Sequence, residues 1–143
     1  MAFDNILVVC VGNICRSPIL EALLKHQYPQ KHIESAGLSA LAGNPVDPKS
    51  QTVMDPFGID MSKHVARQID ERLVGKADLI FTMSDGQTKW IEERWPHCRC
   101  KTFKIGHWNN KDIADPYQHE LSAFEAARKD IVESLEPWIE KLS

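Results

Sequence analysis

Residues 5–18 read NILVVCVGNICRSP, and the order of residue types within them decides the fold. Asn5 to Val9 (NILVV) is a short, branch-rich apolar run, the pattern of a strand buried on both faces. Ser17 and Pro18 open a helix, with Ser suited to the N-cap and Pro to the first helical position. Ile19, Leu20, Leu23 and Leu24 continue at helical spacing until Tyr28-Pro29 stops it. Between strand and helix lie two cysteines, a glycine, an asparagine and an arginine. Taken alone, that loop admits a metal site, a redox pair, a phosphate cradle or a plain strand end.

The rest of the chain repeats the alternation. Ile33 to Ala36 is a second strand before Gly37, and a small-residue loop, SALAGNPVD, leads to a short helix from Lys49 to Phe57 capped by Gly58. His64 to Ile69 (HVARQI) is locally ambiguous. Ala77 to Met83 (ADLIFTM) reads as a third buried strand. Ser84-Asp85-Gly86 begins a helix that runs to about Trp95 and halts at Pro96. Thr102 to Ile105 is a fourth strand. Leu121, Phe124, Ala127, Ile131, Leu135, Trp138 and Leu142 step by three or four, an amphipathic helix that Pro137 is expected to kink or divide. Strands alternating with helices predict an α/β fold: a three-layer αβα sandwich around a four-stranded parallel sheet, one domain over 1–143. Ligands of such sheets bind beyond the carboxyl ends of the strands. The loop after the first strand lies there, and Asp115, following the fourth strand, reaches the same edge.

Composition narrows the classes. The 143 residues are 43% hydrophobic and 26% charged, with a net charge of −3, which argues against a nucleic-acid partner. No apolar stretch approaches the ~20 residues that span a bilayer, and MAFDN lacks the basic start of a signal peptide. The expectation is a cytoplasmic protein without membrane insertion. Cys10 and Cys15 are spaced C-x4-C, and Cys98 and Cys100 C-x-C; neither is a zinc spacing, so no metal or other cofactor is expected. Cys98 and Cys100 read as passengers at a helix-to-strand junction.

Cys10 to Arg16 forms a C-x5-R unit. Backbone N–H groups of Val11, Gly12, Asn13, Ile14, Cys15 and Ser17 turned inward would make an anion nest, and the helix behind it adds its positive end. Gly12 and Asn13 are residue types that accept the positive φ of a nest. Arg16 grips two oxygens of a tetrahedral oxyanion with a planar fork. The same field favours the thiolate of Cys10, a nucleophile seated beneath the bound phosphorus, and the Ser17 hydroxyl can donate to its sulfur. An aryl phosphate also needs a proton for its leaving oxygen, and Asp115, stiffened by Pro116, is the candidate acid and later base.

CVGNICRSP near the start with a distant DPY resembles the low-molecular-weight protein tyrosine phosphatases. IESAG, GNPVD and HVARQI match further, and GHW with SAGLSALAG resembles the bacterial Wzb-type subgroup. The resemblance implies Cys10 as nucleophile, Arg16 as phosphate clamp and Asp115 as general acid. It puts Asn13, Ser17, Ser35 and His64 in the network holding the loop, with Tyr117 and Leu41 flanking the substrate ring. It also implies a phosphotyrosine protein substrate, a membrane-anchored bacterial tyrosine autokinase that controls capsule or exopolysaccharide assembly. Eukaryotic members often carry a second tyrosine after DPY; here Gln118 stands there, so one wall of the cleft differs.

Simpler readings compete at each residue. Cys10 alone would be a buried strand-end cysteine, but Arg16 and Gly12-Asn13 in register oppose that. Asp115 is also a turn-forming Asp before Pro, which is compatible with presenting an acid. His64 is read as structural, a partner of Asn13. The four tryptophans are read as packing residues. Cys15, five residues from the nucleophile, is expected to capture oxidised Cys10 as a reversible disulfide. Two rival activities remain on the same fold. A protein-arginine phosphatase resembling this chain would carry Thr where Ile14 stands, and a thiol-coupled arsenate reductase would relay through Cys98 and Cys100.

Overall fold

The computed structural model describes residues 3–143. Four strands, β1 (Asn5–Cys10), β2 (His32–Gly37), β3 (Leu79–Thr82) and β4 (Thr102–Lys104), form one parallel sheet in the order β2-β1-β3-β4. Five helices accompany them: α1 (Arg16–Gln27), α2 (Pro48–Met54), α3 (Glu71–Lys76), α4 (Asp85–Arg94) and α5 (Leu121–Leu142). The α/β class and the four-strand parallel sheet are as the alternation predicts. Because β1 pairs with β2 on one side and β3 on the other, the direction of winding reverses beside β1. That switch point is where such sheets open a crevice, and the loop 10–16 starts there.

Side chains along β1 alternate between two cores, as the pleat requires. Ile6, Val8 and Cys10 join α1, α2 and α5 in one cluster; Leu7 and Val9 join Leu73, Val74 and Ile91 of α3 and α4 in the other. Helices therefore cover both faces, which explains why β1 is apolar and buried from Ile6 to Cys10. Phe81 meets the Trp138 indole edge-on at 4.9 Å, and the indole N–H donates to the Ile105 carbonyl at 2.9 Å.

Several boundaries differ from the sequence expectation. α1 begins at Arg16 with Cys15 as its cap, and no side chain caps it. Ser17 is thus inside the helix, because its hydroxyl is engaged by Cys10 and Asn13 instead. The short helix is Pro48–Met54, capped by Asp47 accepting from the Lys49 N–H, and a 3-10 turn carries on to Gly58 at φ 70°. Residues 64–69 form a loop with one bridge, Gly37 to Gln68. α3, absent from the expectation, is one and a half turns capped by Asp70; so short a helix leaves little periodicity to detect. α5 passes Pro137 without interruption. The carbonyl that loses its helical donor there is that of Glu133, and the Asn109 side-chain amide donates to it at 3.4 Å. Leu121, counted in the apolar stripe, is 40% exposed in the first turn.

Candidate active site

The loop after β1 is held by its carbonyls. Leu38 N–H donates to Cys10 O, Ser39 to Val11 O, Leu41 to Gly12 O and Asp47 to Ile14 O, at 2.9–3.0 Å. His64 Nε2 lies 2.6 Å from Asn13 O, and Ser50 Oγ donates to Cys15 O at 3.2 Å. Six consecutive carbonyls thus have partners outside the loop. In a planar trans peptide the following N–H points the opposite way, so the N–H groups of residues 11–16 turn toward the loop's centre. The Asn13 N–H is directed to Cys10 Sγ at 3.3 Å.

Asn13 sits at φ 60°, whereas Gly12 is not in the left-handed region. A Cβ at Gly12 would meet Ile14 and Leu41 only at 3.8 Å, so the expectation of positive φ at both positions holds for Asn13 alone. The left-handed turn at Asn13 is stabilised by its own amide. Nδ2 donates to Ser17 Oγ at 2.8 Å and Ser35 Oγ at 2.9 Å, and Oδ1 accepts from the Arg67 N–H at 2.9 Å. Since Ser17 Oγ accepts from Asn13, its own proton is free for Cys10 Sγ, 2.9 Å away. Two donors therefore converge on the buried Cys10 sulfur. Ser35 Oγ in turn donates to Glu21, whose carboxylate also lies 3.8 Å from His64 Nδ1.

Arg16 is 4% exposed. One terminal nitrogen donates to the Ile113 carbonyl at 2.8 Å and the other faces Asp115 Oδ2 at 3.6 Å. Its Nε–H is buried and unpartnered within the protein. Asp115, with 48% of its side chain exposed, receives the Tyr117 N–H at 3.1 Å, a turn that presents the carboxyl. Cys10, Val11, Gly12, Ile14, Cys15, Arg16, Leu41, Asp115 and Tyr117 line one cleft of about 120 Å³ together with Ser39. Leu41 and Tyr117 are each about two-fifths exposed at its rim. Asn13 and Ser17, expected among the phosphate-binding residues, do not line this cleft, nor do Ser35 and His64; the four are joined through hydrogen bonds of Asn13.

Residues that sequence reading missed serve the same loop. Ser39 lines the cleft, Glu21 closes the Ser35–His64 chain, and Asp47 bonds both the Ile14 carbonyl and the Cys15 thiol. Only the match in GNPVD pointed toward Asp47. Burial foremost, then the Asp47 charge, pushes the Cys15 thiol far up, and its Sγ lies 3.8 Å from Asp47 Oδ2. Cys98 is buried and Cys100 exposed, beside the turn before β4.

Three comparisons agree. Residues 5–143 match the family model described as low molecular weight phosphotyrosine protein phosphatase. The chain is 53% identical over 125 residues to the low molecular weight protein-tyrosine-phosphatase Ptp of Acinetobacter johnsonii, covering 87% of this chain and 88% of that one. It is 42% identical over 142 residues to Wzb of Escherichia coli K12, covering 99% and 97%. The structure of Vibrio vulnificus Wzb with benzylphosphonate superposes with a TM-score of 0.94 at 38% identity, covering 99% of this chain and 100% of that one. A strand-to-helix loop of inward N–H groups around a cysteine, an arginine and a facing aspartate is thus carried on the fold of known relatives, and the chain belongs to the low molecular weight phosphotyrosine protein phosphatase family.

Proposed function

We propose that this protein hydrolyses phosphotyrosine in protein substrates through a cysteinyl-phosphate. The observation that carries the reading is that Asp115, remote in sequence from Cys10 and Arg16, lines one cleft with them, flanked by Leu41 and Tyr117. In the first step Cys10 Sγ attacks phosphorus, the P–O ester bond breaks, and Asp115 gives its proton to the departing phenolate oxygen. The inward N–H groups and Arg16, whose buried Nε–H has no protein partner, hold the equatorial oxygens as charge develops. In the second step the Asp115 carboxylate takes a proton from water, which attacks phosphorus and breaks the S–P bond. Inorganic phosphate leaves, and the Ser17 hydroxyl and Asn13 N–H stabilise the returning thiolate.

The physiological substrate we propose is a membrane-anchored tyrosine autokinase controlling capsule or exopolysaccharide, reached from the cytoplasm. Support for it is the similarity to proteins named Wzb and EpsP. No helix among the described residues is long and apolar enough to cross a membrane. Peptides bearing phosphotyrosine, phosphoserine or phosphoarginine test the reading together. Release of phosphate from phosphotyrosine peptides, abolished by Cys10→Ser, is the expected result. Preferential turnover of phosphoarginine would overturn it.

A further inference from the structure

Arg16 and Lys104 are the two buried cations among the described residues. Arg16 has a task in the chemistry above; Lys104, at the end of β4, has none there. Burying an ammonium is costly unless it is paired and hydrogen-bonded. Lys104 Nζ donates to Asp85 Oδ2 and to Asp112 Oδ1, both at 3.0 Å, and Asp112 Oδ1 also accepts the Asp85 N–H at 3.2 Å. Burial works to lower the Lys104 pKa, but the bonds from Asp85 and Asp112 outweigh it and hold the ammonium charged. One side chain therefore joins the end of β4, the first turn of α4 and the segment leading to Asp115.

That segment is anchored on its upstream side. Asp112 precedes Ile113, whose N–H donates to Met83 O at 2.8 Å and whose carbonyl receives Arg16. Asp115 follows two residues later and is itself half exposed. Downstream, the loop is tied by Lys49 Nζ to the His119 carbonyl at 2.6 Å, an exposed contact. The holds that tie the acid loop to buried groups are Lys104 on Asp112, and Met83 and Arg16 on Ile113.

We propose that Lys104, acting through Asp112, is a positioning residue that sets the Asp115 carboxyl over the phosphate nest. The proposal rests on Asp115 being the general acid. An acid displaced by about 1 Å loses up to ~100-fold in proton transfer, and only substrates that need the proton feel it.

Lys104→Met keeps the chain length and leaves Asp85 and Asp112 solvated, since their side chains are 77% and 51% exposed. Asp112→Ala cuts the same tether from its exposed end and carries the test if Lys104→Met fails to fold. The readout is kcat/KM, which covers departure of the phenol, for phenyl phosphate and for 4-nitrophenyl phosphate with its better leaving group. Both variants should lose about tenfold more on phenyl phosphate than on 4-nitrophenyl phosphate. Inhibition by inorganic phosphate should stay unchanged, because the nest and Arg16 are intact. In the Asp115→Asn background, Lys104→Met should leave the substrate ratio where it is. Equal losses on both substrates, or a ratio that still shifts in the Asp115→Asn background, would overturn the proposal. If Asp115→Asn alone leaves the ratio unchanged, the acid assignment falls and the tether's role with it; if Asp115→Asn shifts the ratio and both tether variants do not, only the tether falls.

Discussion

At the scale of single residues, Asn13 carries more than its side-chain type suggests. It accepts a left-handed φ and places one amide against Ser17, Ser35 and the Arg67 backbone. Asn13→Ala strands those partners and strains the turn, and should cost about 2–4 kcal/mol in denaturant unfolding, with phosphate affinity reduced. Asp115→Asn should slow phenyl phosphate far more than 4-nitrophenyl phosphate, measured as kcat/KM. Cys15 makes a kinetic prediction. If it captures oxidised Cys10, the Cys15 sulfur attacks the sulfenic acid and water leaves, forming a disulfide. Because burial and Asp47 raise the Cys15 thiol, its thiolate is scarce at neutral pH. Capture should therefore speed up by about tenfold per pH unit, and Cys15→Ser should lose thiol-reversible recovery after peroxide.

At the scale of elements, the close approach of the 37–41 loop to the loop 10–16 is decisive. A Cβ on Gly37 would sit 2.5 Å from the Val11 carbonyl, and that carbonyl is one of the six whose outward bonds turn the N–H groups inward. Gly37→Ala should push the two loops apart and weaken phosphate binding, read from inhibition by inorganic phosphate. In α5, Pro137 takes away one helical donor, and the Asn109 amide at 3.4 Å replaces it poorly. Pro137→Ala should stabilise the protein by about 1–3 kcal/mol, measured by thermal or denaturant unfolding. An unchanged midpoint would mean that the Asn109 bond compensates fully.

At the scale of the whole molecule, charge networks link the sheet edge to the loops. Glu34 of β2 is bonded to Arg67 at 3.2 Å and His32 at 3.1 Å. Burial tends to raise its carboxyl, and the bonds from Arg67 and His32 outweigh it and hold it below its ordinary 4.5. A carboxyl depressed in the folded state adds stability that is present above about pH 4.5 and lost as pH falls through its folded value. Unfolding followed between pH 6 and 3 should show that decline, and Glu34→Gln should flatten it. Arg67 also bonds the Ser35 carbonyl and, through its N–H, Asn13, so acid loss at this edge should also loosen the phosphate loop.

Strand and helix periodicities, the C-x5-R spacing and the DPY turn were legible in the linear chain, since each depends on residues within a few positions of one another. That local chemistry determined the α/β alternation and the sheet edge where the cleft opens, and it put forward Cys10, Arg16 and Asp115, which line that cleft. It also misled in places. Ser17 has the composition of a cap, yet its hydroxyl is drawn away by Cys10 and Asn13. Gly12 has the residue type of a left-handed turn, yet Asn13 alone makes it. What folded contacts decided was which way the loop's peptides face, because their carbonyl partners come from residues 38–64. They also decided that Lys104, an ordinary strand residue by sequence, is buried between Asp85 and Asp112. A peptide's orientation and an ion pair's burial depend on neighbours distant along the chain, and only packing brings those neighbours within bonding distance.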